Sequence, residues 1–485
     1  MPLRKGMSEM SENHALRRSS PESQGLPSAA VCQLLDYFQD KNLEVHSIMI
    51  LRHGNVVAEG WWDPYSADRP HMLFSLSKSF TSTAIGFAVQ EGLLTVDDAL
   101  CDFFPGELPK QVSPNLAKMK VYHLLTMSTG HAEDPSERVF STRDGNWVRA
   151  FLALDVEREP GSLFVYNTAA TYMLSAILQK LTGQTLLDYL TPRLFDPLGI
   201  VGATWETCPR GISTGGFGLN IKTEDIAKFG QLYLQQGAWN GQQLLSPEWI
   251  DEATRKHIDN DNVAVEWRQG YGYQFWRCRH NAYRGDGAFG QFCIVLPEKD
   301  LVVAITSGTN DMQGVMDGIW EIILPALAGE ALPESKTEHE RLLARLASLA
   351  LPLLPAQKGA NPERFAGRYV FPQNNLGQKA AAFSFEPDSC CLTLETTAGE
   401  TEISCGYGRY EQGRFPLDRG SALAYSCASW KSESTLEVMC RLVETPFTYT
   451  LICDFSPGQV EISVKANCGF GSTEFPRIVG KLDQR

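Results

Sequence analysis

The sequence predicts an α+β unit, an antiparallel sheet of about five strands flanked by helices, followed by a small all-β barrel. Three observations carry that expectation. An early strand pair is separated from late strand-length runs by a long helical middle, an order that puts helices on both faces of one sheet. Over 324–362 the composition shifts to Ala-, Leu- and Pro-rich sequence, as a linker does. Beyond Phe365 come short alternating runs, among them AAFSFEP, CCLTLETT, GETEISCGY, TLEVMCRL and QVEISVKA, broken by Gly, Pro and Asn. Seven or eight strands at nearly even spacing suit a small antiparallel barrel or sandwich. The expected division is a loose polar segment 1–20, a first domain 21–325, a linker with a helix 326–362 and a barrel 363–485.

The elements follow in chain order. Ser28 to Lys41 has helical spacing through Leu34, Leu35, Tyr37 and Phe38. His46–Arg52 and Val56–Gly60, joined by His53-Gly54-Asn55, read as a β-hairpin. From Phe74 the chain turns helical, with Phe80, Ala84, Phe87 and Ala88 at intervals of three and four and Gly92 where such a helix ends. Val121 to Thr126, Asn146 to Leu154 and Ala169 to Leu181 repeat the helical pattern, as do Thr223 to Gln235, with Thr223 as cap, and Pro247 to Lys256. Gly270 to Trp276, Gly285 to Pro297 and Leu301 to Ser307 have strand-like lengths. Glu334 to Leu351 is a charged helix with one apolar face.

At 485 residues the chain is too long for one ordinary core. A hydrophobic content of 43% with 21% charged residues is that of a globular protein rather than a disordered one. The net charge of -14, without a basic run, argues against nucleic acid or an anionic membrane as partner. Neither a signal-peptide core near the N-terminus nor a run of 18 apolar residues is present, so the expected location is cytoplasmic. The 12 cysteines contain no C-x-x-C pair and the nine histidines are dispersed. That favours buried thiols over a disulfide frame and predicts no metal and no other cofactor.

The chemistry concentrates in Phe74-Ser75-Leu76-Ser77-Lys78-Ser79-Phe80. Positions i and i+3 of a helix share a face, so the Ser75 hydroxyl and the Lys78 amine can meet. A Ser-x-x-Lys spacing arises about once by chance in a chain of this length, and a serine opening a helix is ordinarily a cap. What gives it weight is its company. Phe164-Val165-Tyr166-Asn167-Thr168 forms a non-helical entry to a later helix, and Gly215-Gly216-Phe217-Gly218 suggests a tight turn beside a functional surface.

Taken in order, these segments resemble the serine β-lactamase and DD-peptidase-like family, nearest its class C branch and related esterases. The resemblance covers about Pro21 to Ser307 and rests on Ser75-Leu76-Ser77-Lys78, His123–Gly130, Tyr166 with its neighbours, Gly215-Gly216, and Gly285-Asp286-Gly287 opening a strand. It implies Ser75 as acylated nucleophile, a partly desolvated Lys78 that accepts or relays the serine proton, and Tyr166 as general base in acylation and water-positioner in deacylation. It further implies an oxyanion hole from the backbone N–H groups of Ser75 and Ala288, with Gly287, Thr168 and Asn167 lining the substrate site. Two departures stand out. The family's Tyr-x-Asn has Thr168 at its third position here, and the Lys or His expected two residues before Gly287 is Gly285. Without that cation the carboxylate of β-lactams and peptidoglycan stems loses its anchor, so the expected activity is ester or amide hydrolysis of a small-molecule substrate. A β-lactamase or penicillin-binding peptidase, and a catalytically silent binding protein on the same fold, are the alternatives. The C-terminal strands resemble the lipocalin-like barrels appended to some members; the oligomeric state is left open.

Overall fold

The computed structural model describes residues 15–261, 264–374, 376–417 and 420–483. Its first sheet uses β1 (Arg17–Arg18), β2 (Val45–Arg52), β3 (Asn55–Trp61), β4 (Trp276–Arg277), β5 (Tyr283–Gly287), β6 (Gln291–Leu296) and β7 (Leu301–Ser307). They lie in the order β1-β3-β2-β7-β6-β5-β4, five long strands with a two-residue strand at each edge. All pairings are antiparallel except β1 with β3. The α+β expectation with about five principal strands is met.

The helices that matter to the site are α1 (Ser28–Asp40), α2 (Ser77–Gln90), α3 (Thr168–Thr182), α4 (Thr223–Leu234) and α5 (Lys336–Ala347). Successive side chains of a strand point to opposite faces. Met49 and Leu51 accordingly join one core with Phe80, Ala84 and Phe229, whereas Ile48 and Ile50 join another with Leu34, Phe38 and Ile323. Because both faces are covered, β2 and β7 are buried at every residue, and their continuous apolar runs follow from that.

Three expectations are corrected. Gly270 to Trp276 alternates like a strand, yet apart from isolated bridges at Tyr271 only Trp276–Arg277 forms a strand, because Gly270 (φ 102°) and Gln274 (φ 63°) turn the backbone out of line. Gln274 then donates its amide to the carbonyls of Leu124 and Leu125. The missing strand comes from Gly285 to Pro297, which folds as the β5–β6 hairpin rather than as one run. Thr223 is the first residue of α4 and not its cap; that place is Lys222, whose N–H donates to Asp225, while the Thr223 hydroxyl meets that of Ser47 at 2.7 Å. Finally, the segment expected to be loose is held from Leu16 to Ser20: β1 pairs with β3 and Arg18 reaches Glu59 and Glu224. Residues 1–14 lie outside the described ones.

The second sheet has ten strands rather than seven or eight: β8 (Gly367–Val370), β9 (Gln378–Glu386), β10 (Ser389–Thr396), β11 (Gly399–Tyr407), β12 (Glu411–Pro416), β13 (Ser421–Trp430), β14 (Thr435–Arg441), β15 (Thr448–Ser456), β16 (Gln459–Ala466) and β17 (Ile478–Leu482). The extra ones are the short β8, β12 and β17, too brief to show a period. A parallel pairing of β11 with β13 closes the ring and leaves β12 outside it. The interior is filled by Phe365, Tyr369, Phe383, Phe385, Trp430 and Phe455, together with the thiols of Cys405, Cys440 and Cys453. All 12 cysteines are free thiols. Trp430 finds its one partner in there, donating Nε1–H to the Tyr407 hydroxyl at 3.1 Å.

Barrel and first sheet are stitched by polar contacts at one end. Asn467 donates to the carbonyls of Gly308 and Pro446, both at 2.9 Å, and to Glu44 at 3.2 Å. Arg441, almost fully buried, reaches the same Glu44 carboxylate at 3.1 Å. Met72 N–H donates to the Glu444 carbonyl at 2.8 Å, and the Tyr65 hydroxyl to that of Thr445. Burying such groups is tolerable because each is paired. Among the described residues no helix is long and apolar enough to cross a membrane.

Candidate active site

Ser75 is the middle residue of a single 3-10 turn, Phe74–Leu76, that runs directly into α2. Phe74 adopts φ 48°, a left-handed conformation that costs a bulky L-residue on the order of 1–3 kcal/mol. The turn is held regardless. Ser77 donates to the Phe74 carbonyl at 2.6 Å, and the Phe74 ring packs edge-on against Phe289 at 5.4 Å.

Lys78 lies one helical turn on and is 1% exposed. Its Nζ is 3.0 Å from Ser75 Oγ, 2.8 Å from the Gly216 carbonyl and 3.3 Å from Thr168 Oγ1. Burial disfavours the ammonium form and brings its pKa down to about 7, against the opposing pull of Asp134 and Asp286. At neutral pH a large share of this amine is therefore unprotonated. Gly216 is constrained by the same packing: an added Cβ would lie 2.6 Å from Thr168 Cγ2.

Tyr166 enters from the extended segment ahead of α3. Its ring stacks on Trp276 with centroids 5.3 Å apart, meets Tyr271 edge-on at 6.2 Å, and has Lys78 Nζ 4.9 Å from its centre. Burial raises the phenol well above its ordinary pKa and Asp286 adds to the rise, while a hydrogen-bond contribution from Ser75 opposes it. The phenol is thus kept in its protonated form.

Of the residues expected at the site, Ser75, Lys78, Tyr166 and Thr168 converge. Asn167 does not join them: it is fully buried, caps α3 by accepting the Ala170 N–H at 3.0 Å, and donates to Thr129. Gly287 ends β5 so close to the nucleophile turn that a Cβ there would strike the Leu73 carbonyl. Ala288 follows in the next turn, half-buried, its carbonyl held by Gln291 at 3.0 Å. Gly285 supplies no cation and is closely packed: a Cβ there would meet Leu76 and lie 2.5 Å from Ser79 Oγ.

Four further contributors escaped the sequence reading as individuals. They are the Gly216 carbonyl, the Trp276 ring, Asp134, and the buried pair Arg284–Asp286, whose Nε–Oδ2 distance is 2.9 Å. The Arg284 guanidinium also lies 4.6 Å from the Trp267 ring centre. Two charges at i and i+2 of a strand share one face, so Tyr283–Gly287 did contain a signal for the pair. A backbone acceptor or a stacking ring announces itself only in three dimensions. Among the described residues no group of three or more His, Cys, Asp or Glu side chains is arranged to hold a metal.

Comparison with known proteins supplies a family. Residues 21–327 match the family model described as Beta-lactamase. The 6-aminohexanoate-dimer hydrolase of Paenarthrobacter ureafaciens is 24% identical over 300 residues, covering 56% of this chain and 76% of that protein. Penicillin-binding protein 4 of Amycolatopsis lactamdurans is 23% identical over 355 residues, covering 64% and 88%. Among solved structures, the octameric penicillin-binding protein homologue from Pyrococcus abyssi superposes with a TM-score of 0.50 at 18% identity, covering 93% of this chain and 99% of that one; this likeness is one of fold.

Proposed function

The chain belongs to the beta-lactamase family of serine hydrolases, and from that premise we propose that it cleaves ester or amide substrates through an acyl-enzyme on Ser75. The observation that carries this reading is the buried amine of Lys78, 3.0 Å from the serine oxygen and with its pKa lowered to about 7. A neutral amine at that distance takes the Ser75 proton as Oγ attacks the substrate carbonyl. Tyr166, kept protonated by burial, relays that proton to the departing alcohol or amine rather than acting as a tyrosinate. Backbone N–H groups of Ser75 and Ala288 receive the oxyanion, each worth on the order of 3 kcal/mol in the transition state. Water then attacks the acyl-enzyme, with Lys78 and Tyr166 handling its proton in the same way. Thr168 holds the amine in place through its hydroxyl.

The amidase named among the relatives supports the amide half of the substrate class. A second reading, a β-lactamase or penicillin-binding DD-peptidase, draws on the likeness to penicillin-binding protein 4. Against it stands Gly285, which carries no cation and where even a Cβ would require Leu76 or Ser79 to shift. Treatment with a fluorophosphonate probe followed by peptide mass mapping tests the main reading. Label on Ser75, absent from Ser75→Ala, is expected; a folded protein unlabelled at Ser75 overturns it. Nitrocefin turnover together with labelling by a fluorescent penicillin would favour the second.

A further inference from the structure

Four phenylalanines from both parts of the chain gather beside the nucleophile. Phe74 immediately precedes Ser75 and Phe289 immediately follows Ala288. The barrel brings Phe447 and Phe470 onto them: Phe470 lies 5.8 Å from Phe74 and 4.9 Å from Phe289, and Phe447 lies 6.1 Å and 5.6 Å from the same rings. Phe289 is buried and Phe74 and Phe447 are half-buried, yet Phe470 is 81% exposed. A phenylalanine that served only to pack the two parts together would be covered by them. This one shows most of its surface while resting on the residues that flank the nucleophile and the proposed oxyanion donor.

The approach is also rigidly set. Asn467, three residues before Phe470, fixes the loop to Gly308 and Pro446; its backbone N–H donates to the Thr448 carbonyl and its side-chain Oδ1 accepts the Thr448 N–H. At Gly308 an added Cβ would strike the Pro446 carbonyl, so the barrel backbone lies directly on the end of the first sheet. Glu444 is bound to Met72, which is three residues before Ser75. The wall therefore moves with the nucleophile turn, and its surface is aromatic without a charge among the four rings.

We infer that the barrel completes the substrate site, with Phe447 and Phe470 forming, against Phe74 and Phe289, an apolar subsite for an aryl or bulky alkyl group on the acyl side of the scissile bond. This deepens the hydrolase reading and rests on it for the word acyl. Apolar surface left open next to a reacting centre is stabilised by a substrate that covers it, and stacked or edge-on rings are what a phenyl group finds there.

The test is a pair of esters with one leaving group, p-nitrophenyl acetate and p-nitrophenyl phenylacetate. In the full-length protein the kcat/KM ratio of phenylacetate to acetate is expected to fall about tenfold in Phe470→Ala and to recover in part in Phe470→Leu, tenfold being about 1.4 kcal/mol. An unchanged ratio overturns the inference, as does an equal loss on both esters. So does a change in particle mass by light scattering with the ratio intact, which would mark Phe470 as a contact between copies of this chain. Calorimetry of phenylacetamide and acetamide with Ser75→Ala and with Ser75→Ala/Phe470→Ala reads the wall without turnover. If Ser75 fails to label but phenylacetamide binding still depends on Phe470, the hydrolase reading falls and the apolar subsite stands. If Ser75 labels and neither readout depends on Phe470, the inference alone falls.

Discussion

The helix behind the nucleophile and the inside of the barrel are equally dry and chemically opposite. On α2 the side chains of Ser77, Lys78, Ser79, Thr81, Ser82 and Thr83 are buried and polar, and all but Ser82 have a partner, among them the Gln274 carbonyl for Ser79, the Gly215 carbonyl for Thr81 and the Tyr233 hydroxyl for Thr83. Inside the barrel the same degree of burial is spent on aromatic rings, leucines and thiols. Buried polar groups cost free energy unless satisfied, and satisfied ones fix geometry. The first region thus holds an amine within reach of a hydroxyl, whereas the second supplies stability, and its rim alone faces the reaction.

Breaking the polar side should have the largest effects. Ser75→Ala is expected to lower kcat on p-nitrophenyl esters by about 10⁴-fold or more with the melting curve nearly unmoved. Lys78→Met should cost on the order of 10³-fold in kcat/KM, and it carries a sign that only a buried amine gives. A lysine whose folded pKa is lowered from 10.5 to about 7 penalises folding below pH 7, and that penalty shrinks as pH rises from about 7 to 10.5. Lys78→Met should therefore raise Tm most at pH 6 and hardly at pH 10; a shift independent of pH would show that the amine is not desolvated. The wild-type kcat/KM should rise with pH through about 7, and Lys78→Met should lack that limb. Tyr166→Phe should cost roughly 10²-fold or more, while the limb stays near 7 because it belongs to the amine.

Breaking the apolar side should change stability and leave chemistry alone. Leu392→Ala, in the barrel core, is expected to destabilise by about 2–5 kcal/mol in urea, with kcat/KM per folded molecule intact. The smallest effect sharpens the contrast within the first domain. Asn167→Ala, next to Tyr166 but turned into the α3 cap, should cost about 1 kcal/mol of stability and change kcat only a few-fold. A loss as large as that of Tyr166→Phe would place Asn167 in the chemistry.

What the sequence reveals divides along similar lines. β2, β3 and β7 were readable because local pattern and burial coincide: a hairpin turn at Gly54, then runs apolar enough to be covered on both faces. Gly270 to Trp276 misled because alternation says nothing of Gln274 at positive φ, a conformation maintained by side-chain bonds to Leu124 and Leu125. The Ser75–Lys78 pairing was visible in helical spacing, and its company further along the chain gave it weight. Thr168 and Tyr166 needed the resemblance, since 90 residues separate Lys78 from Thr168. Asn167 carried its own signal, an Asn just ahead of an apolar helical run, which is a capping pattern whether or not a tyrosine precedes it. The Gly216 carbonyl and the Phe470 contact had no local signature, one being backbone and the other depending on how two units dock.

Asn467 is synthesised long after Ser75, Lys78 and Tyr166. A ribosome releases the nucleophile, the amine and the phenol hundreds of residues before the brace that clamps Gly308 and Glu44 leaves the tunnel. Translation order thus separates the making of these groups from the finishing of their surroundings, and a chain stopped short of Asn467 carries Ser75, Lys78 and Tyr166 without the brace.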